Sequence, residues 1–148
     1  MGKMNDAQFL FFSCLWKLLK KIEDDGNRAT IGDVWAVDFN PLIKDLDAME
    51  GLTENNDLFR VSVKMQLRDR KHSPNSKHYD KLAVDVNLFK PVTDIDIDGP
   101  FQSWEYCTST SDHAELGAFW KSLHPACEWG GDWQSQDANH YQINKDKV

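Results

Sequence analysis

Little in this chain ties it to a membrane, a disulfide framework or a polyanion. Its most apolar run, Phe9–Trp16, is less than half the roughly 20 residues that a bilayer-spanning helix needs. Lys17, Leu18, Leu19, Lys20 and Lys21 follow it, where a signal peptide has small residues at a cleavage site. The run therefore reads as a core helix, and the chain as made in the cytoplasm without a secretory leader. Cysteine is scarce: Cys14, Cys107 and Cys127 are an odd, widely spaced set. That spacing makes neither a disulfide framework nor a paired-cysteine zinc knuckle, and it predicts buried thiols in a reducing compartment. Positive charge is also short, with 17 Lys and Arg against 24 Asp and Glu and a net charge of -7. A nucleic-acid partner needs a cationic surface, so none is expected. The deficit also removes the simplest route to anionic polymers. Neither an internal repeat nor a low-complexity segment is present.

What the chain does have is an ordinary globular balance, 41% hydrophobic and 28% charged over 148 residues, with 6 Trp for packing or a cleft. That length fits a single domain over residues 1–148. Apolar residues at helical spacing (Phe9, Phe12, Leu15 or Trp16, Leu19) predict a first helix over Asn5–Glu23, capped by Asn5 or Asp6 and stopped at Gly26. "ATIGDVWAV" has strand composition. "NNDLFRVSVKMQLRDR" fits a helix or a strand, and its alternation favours the strand. "KHSPNS" is a turn. In "KLAVDVNLF", Leu82, Val84, Val86 and Leu88 fall on one face and Ala83, Asp85, Asn87 and Phe89 on the other. Asp85 thus projects away from the main core, with small Ala83 leaving room beside it. Asp112 is expected to start a second helix with Glu115 as capping partner and a Leu116, Phe119, Trp120, Leu123 stripe, stopped by Pro125. "CEWGGDW" and "NHYQI" are short strands. The sum is an α+β fold, a small antiparallel sheet with flanking helices.

His78 and Asp85, in "SKHYDKLAVD", are the first pair with chemical potential. On one helix they would stand about 10 Å apart along the axis, too far for one metal ion. On a turn followed by a strand, His78 can fold back over Asp85. By themselves the two better describe a solvated His beside a strand-edge Asp. "WGGDWQSQDANHYQ" adds Asp137 and His140, three residues apart. A third ligand from there makes two His and one Asp, and three protein ligands with an open fourth position is the pattern of catalytic zinc. Asp137 is then free to act as an acid or base.

"SKHYDKLAVDVNLF", "LGAFWKSLHP", "EWGGDW" and "DANHYQ" occur in the order found in zinc-dependent peptidoglycan peptidases. The chain resembles the D-Ala-D-Ala carboxypeptidase and L-alanyl-D-glutamate peptidase family of the Hedgehog/DD-peptidase fold, and is most similar to small phage endolysins. The resemblance spans roughly Ile31–Ile143 and is strongest from Ser76 onward. It implies Zn2+ held by His78, Asp85 and His140, with Asp137 as catalytic base. It also implies that Ser76 orients the first ligand turn and that Trp129–Trp133 lines the site. The implied activity is hydrolysis of the peptidoglycan stem peptide by a monomer without stable membrane association. Such an enzyme reaches the cell wall from the host cytoplasm after another protein has permeabilised the membrane. Related alternatives are a D-Ala-D-Ala carboxypeptidase or dipeptidase, and a zinc-holding wall-binding domain without turnover.

The chain departs from the family pattern at two places. Lys81 stands where the family often has Gly. Ala36 stands in "IGDVWAV" where the family commonly has an Arg that grips substrate, a task left to Arg60, Arg68 or Arg70. The other histidines read blandly: His72 lacks the family context, His113 reads as a surface residue, and His124 sits at a helix end near the last carbonyls. Trp104 and Trp120 read as core, Trp133 as core or cleft wall, and Cys127 as a buried small hydrophobe. Asp94, Asp96 and Asp98, with Glu105 in twelfth place, faintly resemble a calcium loop without its flanking helices.

Overall fold

A computed structural model describes residues 2–32, 76–78, 80–92 and 103–148. The expected elements and arginines between residues 33 and 75, Ala36 and His72, and Asp94 to Gly99 of the acidic loop all lie outside the described residues. Among the described residues the fold is α+β, as its sequence patterns predict: two α-helices and an antiparallel sheet of five strands.

Helix α1 runs Lys3–Asp24. It begins earlier than expected, with Gly2 as N-cap and no side-chain cap, so Asn5 and Asp6 lie inside the first turn. Its end follows the glycine logic. Gly26 has φ 78, its N–H bonds to Glu23 O at 2.9 Å, and the Asn27 N–H bonds to Ile22 O at 3.0 Å. That pair of bonds is a Schellman stop, which needs the left-handed backbone that glycine adopts without cost. The buried face is a correction. Ala7, Phe11, Cys14, Leu15, Leu18 and Ile22 are buried, while Phe9, Phe12 and Trp16 are exposed. The helix carries two overlapping apolar stripes, and the one containing small Ala7 and Cys14 allows close approach to the rest of the core.

Strand β1 (Arg28–Ile31) covers the start of the expected "ATIGDVWAV" strand. Strand β2 (Ala83–Pro91) is the spine of the sheet. It pairs with β1 on one side and with β3 (Trp104–Cys107) and β5 (His140–Ile143) at other points along its length. Strand β4 (Cys127–Trp129) adds to β5, giving the order β1-β2-β5-β4 with β3 alongside β2. The parity expected for β2 holds: Leu82, Val84, Val86 and Leu88 are buried, and Asp85, Asn87 and Phe89 are partly exposed.

Helix α2 runs Thr110–Leu123. Its cap is Ser109, whose hydroxyl accepts the Asp112 N–H at 3.1 Å while Asp112 Oδ2 accepts the Ser109 N–H at 3.3 Å. The capping box is therefore real, but it lies three residues upstream of the expected Asp112–Glu115 pair. Trp120 on α2 is the centre of the core, T-stacked on Phe11 and Tyr141. Its indole N–H is shared between the carbonyls of Glu128 and Gln142.

His113 is the clearest correction, because it is fully buried and not a surface residue. Its Nε2 faces the Cys107 carbonyl at 3.1 Å and its Nδ1 faces the Tyr141 hydroxyl at 2.8 Å. A carbonyl only accepts, so Nε2 carries the proton and Nδ1 accepts from Tyr141. Burial pushes the His113 pKa below its usual value. His124 also differs in detail, since its Nδ1 accepts the Ala126 N–H at 3.0 Å. Cys14, Cys107 and Cys127 are buried free thiols, as their spacing suggests.

Candidate metal centre

Three features of the chain converge on one end of β2. Asp85 lies directly opposite His140 in the β2–β5 register. Opposed residues of an antiparallel pair share a sheet face, with Cβ atoms about 5 Å apart. Asp85 Oδ1 and His140 Nδ1 accordingly sit 3.1 Å apart. His78 comes from the turn before β2, whose closure the backbone bonds Leu82 N–H to Lys77 O and Lys81 N–H to His78 O define. The Ser76 hydroxyl accepts the His78 N–H at 3.3 Å, bracing that turn from its other side. His78 Nε2 then reaches within 3.4 Å of the same Asp85 oxygen, and the two imidazoles stand edge to face at 5.0 Å.

Lys81 closes the turn with φ 58. That left-handed backbone suits glycine and costs roughly 1 kcal/mol for a residue with a Cβ. The position where the family often has Gly is thus one where the backbone asks for it.

His78, Asp85 and His140 each offer one ligand atom, and these lie within 4.8 Å of one another. Ligand atoms about 2 Å from a tetrahedral zinc stand about 3.3 Å apart. The two separations to Asp85 Oδ1, 3.1 Å from His140 and 3.4 Å from His78, match that spacing, and two imidazoles with one carboxylate is a donor set that zinc accepts. No other such group of three gathers among the described residues. Both imidazoles are almost fully buried, and the Asp85 side chain is 21% exposed. Burial pushes the Asp85 carboxyl up, but hydrogen bonds and charge from His140 and His78 outweigh it and hold it down at about 2.

Asp137 stands at the rim. Its side chain is 50% exposed, and Oδ2 lies 4.0 Å from His140 Nδ1. The turn that carries both is pinned to the glycine pair after β4. Asp137 N–H bonds to Gly130 O at 2.9 Å and His140 N–H to Asp137 O at 3.1 Å. Gly130 is obligatory there, because a Cβ would fall 2.2 Å from the Asp137 carbonyl oxygen. The Trp133 ring lies 4.9 Å from the His140 ring, half-open to solvent, and forms a wall.

Trp129 does not face the opening. It is buried below the site, and its indole N–H donates to the Ala138 carbonyl at 2.7 Å, holding the Asp137–His140 turn from beneath. Gln142 and Glu128 went unnoticed in the sequence. Gln142 Oε1 lies 2.9 Å from His140 Nε2, and Gln142 Nε2 donates to Glu128 Oε2 at 2.9 Å. Strand parity was the available signal, since a residue two after His140 shares its face.

Two imidazole nitrogens and a carboxylate converging beside an exposed second carboxylate is an arrangement suited to metal-assisted hydrolysis. A sequence profile of the D-alanyl-D-alanine carboxypeptidase family matches residues 69–143, which is half of the 148-residue chain. The chain belongs to this peptidase family. The matched span contains Ser76, His78, Asp85, Asp137 and His140, and it starts later than the Ile31 boundary expected from the motifs. No curated protein matches the chain.

Proposed function

We propose that the chain is a zinc peptidase that cleaves the stem peptide of bacterial peptidoglycan, as an L-alanyl-D-glutamate endopeptidase of the phage endolysin kind. The observation that supports it most is the pairing of Asp85 with His140 across the sheet, with His78 folded onto the same carboxylate oxygen. His78, Asp85 and His140 would hold the ion, and Asp137 would be the catalytic base.

A zinc ion held there supplies Lewis acidity and lowers the pKa of water toward about 7. The chain's own groups do the rest. His140 and His78 must be neutral to offer lone pairs, so acid competes with the metal for them. Asp85 brings the single negative charge of the ligand set. Asp137, exposed and close to His140, takes a proton from the attacking water and returns it to the leaving amine. Trp133 shields one side of that exchange from bulk solvent. The whole chain forms one such domain. It is a monomer that is synthesised in the host cytoplasm and acts on the wall once the membrane is permeabilised.

The family description favours a second reading, cleavage of D-Ala-D-Ala by a carboxypeptidase of the same fold. Mass analysis of purified muropeptides after digestion separates the two bonds. A third class, wall binding without turnover, is separated by lysis of chloroform-treated Gram-negative cells. Wild-type protein is expected to lyse them, and Asp137→Ala to fall by about 10²–10⁴-fold while keeping its zinc. Equal lysis by both proteins overturns the role of Asp137. Metal analysis of the purified protein is expected to find about one zinc per chain, lost in His140→Ala, and a fully active metal-free protein overturns the whole reading.

A further inference from the structure

We infer that Gln142 and Glu128 are positioning residues, which set the tautomer and rotation of the His140 ring so that Nδ1 presents its lone pair to the metal. This rests on the zinc site proposed above and extends it to groups that touch neither metal nor substrate.

The hydrogen-bond directions form a one-way chain. Glu128 lies opposite Gln142 in the β4–β5 register, and Gln142 lies opposite Ala83. All three share the face that carries Asp85 and His140, and the small Ala83 side chain leaves space for the Gln142 amide. Glu128 Oε1 accepts from Asn144 Nδ2 at 2.9 Å and from Lys147 Nζ at 3.0 Å, and Oε2 accepts from Gln142 Nε2 at 2.9 Å. Burial pushes the Glu128 carboxyl up, but these donors outweigh it and hold it below the usual glutamate range. An ionised carboxylate only accepts. Glu128 therefore forces the NH2 end of Gln142 toward itself and the carbonyl end toward His140. Facing a carbonyl oxygen, His140 Nε2 must carry the proton and donate. In the metal-free ring Nδ1 faces the ionised Asp85 oxygen at 3.1 Å and donates to it. Where a metal takes the place of that proton, the one proton a neutral imidazole keeps is held on Nε2 by Gln142, and Nδ1 offers its lone pair. Gln142 is 8% exposed and His140 6%, so water cannot readily substitute for either partner.

Partners of this kind typically change metal affinity by 10–100-fold. The test measures zinc dissociation constants by chelator competition, the Co2+ absorption bands, and the thermal unfolding of the chelated protein. Gln142→Leu is expected to weaken zinc by about 10–100-fold and to shift the cobalt bands. A purely structural role would lower the unfolding temperature of the chelated protein and leave the bands in place. The exchanged pair, Gln142→Glu with Glu128→Gln, rebuilds the same direction: a carboxylate accepts from His140 and an amide donates to that carboxylate. It is expected to bind zinc within a few-fold of wild type, whereas Gln142→Glu alone sets two carboxylates together and stays weak.

Unchanged zinc affinity and cobalt bands in Gln142→Leu overturn the inference. So does an exchanged pair that binds no better than Gln142→Glu alone, a comparison that still decides if Gln142→Leu does not fold. Zinc binding that is lost in His140→Ala but indifferent to Gln142 overturns this inference and leaves the site standing. A wild-type protein that binds neither ion brings down both.

Discussion

Gly117 lies in the middle of α2, where alanine ordinarily stabilises by about 1 kcal/mol over glycine. Here a Cβ would fall 2.2 Å from Trp129 Cδ2 and 2.4 Å from Cε3. The indole has no free direction of retreat. Its N–H is bonded to the Ala138 carbonyl at 2.7 Å, and Gly131 packs so closely on its far edge that a Cβ there would meet Cζ2 at 2.1 Å. Overpacking of this kind costs about 1–3 kcal/mol, and displacing the ring adds about 1 kcal/mol for the indole hydrogen bond. After the helix gain is subtracted, Gly117→Ala is expected to destabilise by roughly 1–3 kcal/mol, a fall in Tm of about 3–10 °C for a chain of this length. The steric origin is read from a double-mutant cycle. In a Trp129→Leu background the same substitution becomes neutral or stabilising, with at least about 1 kcal/mol of coupling. Because Trp129 holds the turn between Asp137 and His140, the affinity of the proposed site for zinc is expected to fall with stability in the single variant. Urea and thermal unfolding decide the matter: a Gly117→Ala protein about 1 kcal/mol more stable than wild type would refute the packing reasoning, since helix propensity alone requires that outcome.

Three further outcomes follow from the same geometry. Tyr141→Phe removes the donor to His113 Nδ1 and leaves a buried nitrogen unpaired, so a loss of about 1–3 kcal/mol is expected in urea unfolding; an unchanged midpoint counts against it. The chelated protein loses stability in two acid steps. His113 has a lowered folded pKa, so its contribution is complete above about pH 6.5 and fades as pH falls below that value. Asp85, at about 2 when folded against an ordinary 3.8, contributes about 2 kcal/mol. That contribution is present above about pH 4 and is lost as pH falls toward 2. Asp85→Asn should abolish the second step alone, as seen in unfolding free energy measured across pH. Lys81→Gly, at φ 58, should match or exceed wild-type stability, whereas Lys81→Val loses about 1–2 kcal/mol; similar midpoints for the two would contradict the left-handed assignment.

Much of the architecture was readable along the chain. Period-two alternation placed Asp85 on the open face of β2, because every second Cβ of a strand points the same way. Gly26 marked the end of α1 through its conformational freedom, and Pro125 marked the end of α2. Where two answers fitted locally, reading failed. The first helix has apolar residues around so much of its circumference that spacing alone could not choose the buried stripe. His113 looked like a surface residue because its partners, Tyr141 and the Cys107 carbonyl, come from β5 and the end of β3. Ser109 was overlooked as a cap because the Asp112–Glu115 spacing satisfied the same rule one turn later.

For the site, local chemistry and motif order nominated His78, Asp85, Asp137 and His140, since residue type and spacing are properties of the chain itself. Only the folded sheet could set Asp85 opposite His140, because register depends on which strands pair and a slip of one residue would send one of them to the core face. The same pairing brought Gln142 and Glu128 behind His140 and slid Trp129 beneath the turn. Distances between residues far apart in sequence follow from packing, and no local pattern encodes them.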